Sequence, residues 1–164
     1  MDLGKVDHRL SIIANIGVLV GVIFLVIEIQ QNTNTIDSQL QQAIFSGTQE
    51  NLFKWLEYPE ITAYLIDPEL EMSTEDKVRI DALLNSSMRA REFSWRQYNA
   101  GILSDENWEF EENIISIIVG TERAREWWRE IGIVQFTGEF RAVVSNIVEN
   151  QPLHSYWISL KNWQ

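Results

Sequence analysis

Apolar residues run almost unbroken from Leu10 to Ile29, as LSIIANIGVLVGVIFLVIEI, in a chain that is otherwise mixed in polarity. At about 1.5 Å of helical rise per residue, a run of this length covers roughly 30 Å, the thickness of a bilayer's hydrocarbon core. Residues 16 to 27 carry no polar side chain, whereas the core helix of a soluble protein usually keeps a polar stripe. A cleaved secretory signal fits less well, because the run is longer than a usual signal core and its exit, EIQQNTNT, offers no small-x-small cleavage site. The pattern predicts a retained single-pass transmembrane helix over residues 10–29, preceded by a leader of residues 1–9.

After residue 30 the pattern is helical throughout. Pro occurs only at 59, 68 and 152, and no alternating strand run of useful length is present. Ile36, Leu40, Ala43, Ile44, Phe53 and Leu56 space out one amphipathic helix from Thr35 to about Leu56, continuous with the span because QQNTNT contains neither Pro nor Gly; Gly47 is a candidate kink. Pro59 opens a short helical turn. Ser73, with Asp76 three residues on, caps a helix to about Ala100, stopped by Gly101. Its buried side is expected to hold Ile80, Leu83, Leu84, Met88, Trp95 and Tyr98, with Arg89, Arg91 and Arg96 pairing with acids of neighbouring helices. Ser104 caps a helix through about Val119, Thr121 caps ERAREWWREIG, and a last helix runs from about Gly138 to Val148 with Phe140, Val143, Val144 and Ile147 inward. The expected fold is all-α: a transmembrane helix continuing into a compact domain of about five helices, residues 30–164, ending in an aromatic tail. Tyr156, Trp157 and Trp163 in that tail suit packing onto the domain better than a return to a membrane interface.

The predicted span has distinct faces. Ala14, Gly17 and Gly21 cluster on one side of the helical wheel with Glu28, and Ser11 lies beside them. Gly17 and Gly21 form a small-xxx-small pair that lets a second helix approach closely. Asn15 sits at the margin of this face. Glu28 stands in the last turn, followed by Gln30, Gln31 and Asn32, where a carboxylate reaches the head-group region; as a ring in an oligomer it would instead mark a pore mouth.

Charge narrows the partners. The chain carries −11, and residues 30–164 hold 21 acids against 11 Lys and Arg. Such a surface repels phosphate backbones, so nucleic-acid binding is not expected. Between Glu57 and Asp76 lie seven acids and no base, without the Gly and alternating oxygen ligands of an EF-hand loop; this reads as a solvated loop. There are no cysteines. The only histidines, His8 and His154, stand far apart, and no metal-ligand spacing, glycine-rich phosphate loop or nucleophile elbow is present. The adjacent Glu111 and Glu112 are expected to solvate a surface. No catalytic, cofactor-binding or metal residue is therefore assigned, and no cofactor is expected.

The segment IEIQQNT at residues 27–33, the set Tyr98, Gly101, Leu103, Asp105 and Trp108, the pair Trp127 and Trp128, and the phenylalanine-containing helix Phe140 to Val148 together resemble an uncharacterised family of small bacterial membrane proteins with one N-terminal transmembrane helix and an α-helical soluble domain. The resemblance covers most of the chain. It implies an α-helical, membrane-anchored protein and brings no activity or catalytic residue.

Three functions are open at this point. The first is a noncatalytic, membrane-anchored interaction or structural module that contacts lipid and forms a homo-oligomer, or serves as accessory subunit to other membrane proteins. The second is a small homo-oligomeric channel or transport-associated pore, with Ser11, Asn15 and Glu28 near the lumen. The third, ranked last, is a membrane-tethered enzyme or ligand sensor, which would need a deep pocket with convergent polar groups. Lys5 and Arg9 precede the span and the next basic residue after it is Lys54, which favours a bacterial inner-membrane protein with a cytoplasmic N-terminus and a periplasmic domain.

Overall fold

A computed structural model of the chain describes the backbone of residues 3–163 and the side chains of residues 14–163. Among these residues there are seven α-helices and no strand. The fold is all-α with one long apolar N-terminal helix. Two units divide the chain, Met1–Ala43 and Ile44–Gln164.

The first helix, α1, covers Leu3–Glu57 without interruption. The polar tract after the apolar run stays helical because its hydroxyls turn back onto the helix's own carbonyls. Thr33 Oγ1 donates to the carbonyl of Ile29 at 3.0 Å, Thr35 Oγ1 to that of Gln31 at 2.9 Å, and Ser38 Oγ to that of Asn34 at 2.9 Å. Gly47 does not break the helix. Within the first unit, every large apolar side chain from Ile16 to Ile29 is exposed.

The second unit begins with the last turns of α1 and adds α2 (Pro59–Ile66), α3 (Thr74–Asn99), α4 (Asp105–Ile118), α5 (Glu122–Glu130), a 3-10 turn (Gly132–Val134), α6 (Gly138–Asn150) and α7 (Ser155–Asn162). Six helices thus follow α1, where the sequence predicts about five. The additional element is α7 in the tail, whose start is fixed by His154 Nδ1 accepting from the Tyr156 amide at 3.1 Å. Local signals set the other boundaries. Ser73 and Asp76 form a reciprocal capping box at α3, Ser104 and Thr121 accept from the third residue beyond them at α4 and α5, and Gly101 takes the left-handed conformation (φ 71°) that ends α3.

The core is built by Ile61 and Leu65 of α2, Leu84 and Met88 of α3, Ile115 of α4, Trp128 of α5, and Phe140, Val144 and Ile147 of α6. Both tryptophans of the adjacent pair are buried and they diverge. The Trp127 indole donates to Asp81 of α3 at 2.8 Å and the Trp128 indole to Ser145 of α6 at 3.2 Å. Gly132 closes the space between the two rings; a Cβ there would stand 2.9 Å from Trp127 and 3.0 Å from Trp128.

Several polar residues differ from the sequence expectation. Glu111 does not solvate a surface: it is buried against Arg91. Arg89 and Arg96 pair with Glu92 of their own helix, at 2.8 and 3.4 Å. The Arg125 guanidinium of α5 donates to the carbonyls of Val119 and Pro152, fixing the segment that leads into the tail. The amphipathic assignment for the end of α1 is reversed. Phe53 and Leu56 are exposed, as are Phe45 and Leu52, while Thr48, Asn51 and Trp55 turn towards the domain.

Candidate functional site

The residues singled out in the sequence lie on α1. Ala14, Gly17 and Gly21 are exposed, and a Cβ placed on either glycine meets nothing within 4 Å. Gly17 and Gly21 are one turn apart on the same face, the spacing at which side chains of a helix are neighbours. With only hydrogen at both positions, they leave a shallow channel for a second backbone. Asn15 and Glu28 are exposed on the same helix. Ser11 lies outside the residues whose side chains are described. The helix from Ala14 onward is long and apolar enough to cross a membrane, and none of its apolar window is buried.

A second site, not foreseen from the sequence, lies within the domain. It is an open cleft of about 300 Å³ between the end of α1, α3, α4 and α7. Thr48, Asn51, Ser87 and Arg91 form one polar wall; Trp55, Ile117 and Trp157 contribute to the apolar remainder. The Trp55 indole donates to Ser87 Oγ at 3.2 Å, and Asn51 Oδ1 accepts from the hydroxyls of Ser86 at 3.3 Å and Ser87 at 3.5 Å. Arg91 Nη2 donates to Thr48 Oγ1 at 3.1 Å. Behind this wall, Arg91 Nε stands 2.7 Å from Glu111 Oε2, with both side chains at most 5% exposed. The contact is an ion pair whose N–H and acceptor are not aligned as a hydrogen bond. Burial pushes the Glu111 carboxyl up, opposed by the Arg91 charge and a hydrogen bond from Ser94; burial also lowers the Arg91 guanidinium, opposed by Glu111.

One turn face away, Glu92 organises the start of α6. Its carboxylate accepts from the Thr137 amide at 3.2 Å and hydroxyl at 2.8 Å. Thr137 is the N-cap of α6 and its own side chain caps nothing, so a carboxylate from α3 sits at the positive end of that helix instead. Burial would raise the Glu92 carboxyl, yet the Thr137 hydroxyl and amide, with Arg89 and Arg96, hold it below the ordinary value.

Trp157 is the buried anchor of the tail. Its indole donates to the Ile117 carbonyl at 2.6 Å, and its ring lies 6.4 Å from that of Trp55. Tyr156 and Trp163 remain exposed. Gly120 permits this docking: its carbonyl accepts from the His154 amide at 3.0 Å, and a Cβ on it would lie 2.5 Å from the His154 Cβ.

Among the described residues, no group of three His, Cys, Asp or Glu is arranged to hold a metal ion. No protein family, curated protein or solved structure matches this chain.

Proposed function

We infer that this protein is a noncatalytic, membrane-anchored interaction module, held in a bilayer by residues 10–29 and associating through the Ala14, Gly17 and Gly21 face with a second copy or with a helix of another membrane protein. The observation that carries this reading is the exposure of every large apolar side chain from Ile16 to Ile29, each at 44–68%. Apolar surface left in water costs about 25 cal/mol per Å² relative to burial, so a wall of this kind is stable only in lipid or against protein. Within that wall, the two open glycines are where a helix in lipid gains most by close packing. Phe45, Leu52, Phe53 and Leu56, exposed on the domain's part of α1, extend the supply of apolar contact surface.

The placement of Lys5 and Arg9 before the span supports a cytoplasmic N-terminus and a periplasmic domain in a bacterial inner membrane. The test is extraction in mild detergent followed by size determination. The reading expects an oligomer or a co-purified partner, weakened by Gly17→Leu and Gly21→Leu together. A partner-free monomer in mild detergent, or an assembly indifferent to both substitutions, contradicts it.

A further inference from the structure

The cleft between the end of α1, α3, α4 and α7 has the makings of a ligand site. Its volume, about 300 Å³, is at the lower end of the ~300–1,000 Å³ typical of small-molecule pockets. Its walls differ in kind: an apolar side with Ile114, Ile117, Ile118 and the rings of Trp55 and Trp157, and a polar row running along α1 and α3. Donors remain unused in that row. Arg91 is 4% exposed, its Nε faces Glu111 and one Nη2 proton faces Thr48, but Nη1 has no protein acceptor among the described residues. Asn51 uses its carbonyl oxygen for the two serine hydroxyls, and its amide NH₂ has no acceptor among the described residues. Neither atom is among the buried unpaired ones, so water reaches both from the cleft, and a ligand oxygen would take the place of that water.

The charge balance selects the kind of oxygen. Glu111, 2.7 Å from Arg91, already balances the guanidinium. A ligand carboxylate would enter beside a like charge, whereas a hydroxyl or carbonyl oxygen takes the free protons without that repulsion. We propose that this cleft binds a neutral amphiphile, with its hydroxyl or carbonyl oxygen against Arg91 and Asn51 and its apolar body between Trp55, Trp157 and the α4 isoleucines. Trp55 and Trp157, both lining the cleft, make occupancy visible by fluorescence.

The full-length protein in amphipol is titrated with 10-bromo-1-decanol, whose bromine quenches nearby indoles, and the occupied protein is then challenged with 1-decanol, decane or decanoate. Val134→Ser and Asn51→Leu are compared with the parent chain after circular dichroism has shown that each remains helical. The proposal expects saturable quenching that 1-decanol reverses and that decane and decanoate reverse poorly. It also expects binding about tenfold weaker in Asn51→Leu, the loss of one hydrogen bond to a buried site. Val134→Ser, at an exposed position outside the cleft, should retain binding. Quenching that rises linearly without saturation, or is unchanged in Asn51→Leu, overturns the proposal, as does decanoate competing as well as 1-decanol.

Discussion

Arg91 and Glu111 meet 2.7 Å apart inside the domain, joining α3 to α4; the sequence pattern predicts an acid from a neighbouring helix for Arg91 but a solvated surface for Glu111. Taking two charges from water is expensive, and their attraction offsets that cost only while both are present. Arg91→Met leaves a buried carboxylate and should destabilise the domain by about 3–5 kcal/mol. Adding Glu111→Leu to Arg91→Met should restore most of that loss, because no charge then remains unpaired. Chemical denaturation of the three variants checks this, and a double variant no more stable than Arg91→Met contradicts it.

The two buried carboxylates respond to pH with opposite signs. Glu92 is held below its ordinary value of 4.5, so its contribution is present above that value and is lost as pH falls through its folded-state value. Glu111 is held above 4.5; its contribution is complete below that value and fades as pH rises through its folded-state value. Melting curves from pH 3 to pH 7 should therefore show Glu92→Gln losing least, relative to the parent, at the acid end. Glu111→Gln should compare best with the parent at the neutral end. Parallel curves for parent and both variants would refute the assignment.

Two glycines act as spacers. Gly132→Ala places a methyl 2.9–3.0 Å from the Trp127 and Trp128 rings, and overpacking of this kind should cost about 1–3 kcal/mol. Gly120→Ala meets His154 at 2.5 Å and two carbonyls at 2.9 Å. It should release α7 with little loss from the core, giving Trp157 a red-shifted emission. Comparing Gly120→Ala in the parent and in a Trp157→Phe background isolates that signal; a shift that persists without Trp157 would contradict the docking.

The helical frame was legible because its signals are local. Ser73 with Asp76, Ser104, Thr121 and Gly101 each mark a boundary through a bond or backbone conformation within a few residues. The apolar positions of α3 and α6 were legible for the same reason: Ile80, Leu84, Met88, Phe140, Val144 and Ile147 keep helical spacing and are buried. The cleft was not legible. Its polar wall depends on pairings between distant residues, such as Trp55 with Ser87 and Arg91 with Glu111. Hydropathy also assigned the wrong face at the end of α1, since Phe53 and Leu56 are exposed while Asn51 faces the domain. One signal was available: Ser87, Arg91 and Ser94 continue the buried stripe of α3 at its own spacing, and polar residues there call for partners from another helix.

The absence of cysteine from the chain allows a direct test of the association face. Single cysteines are introduced at Ala14 and Gly21, and at Ile16 and Ile23 on other faces of α1, and oxidative cross-linking is followed in native membranes. The account predicts adducts, with a second copy or with one defined partner, at Ala14→Cys and Gly21→Cys and few or none at Ile16→Cys and Ile23→Cys. No adduct at Ala14 or Gly21, or equal yields on all faces, would contradict it.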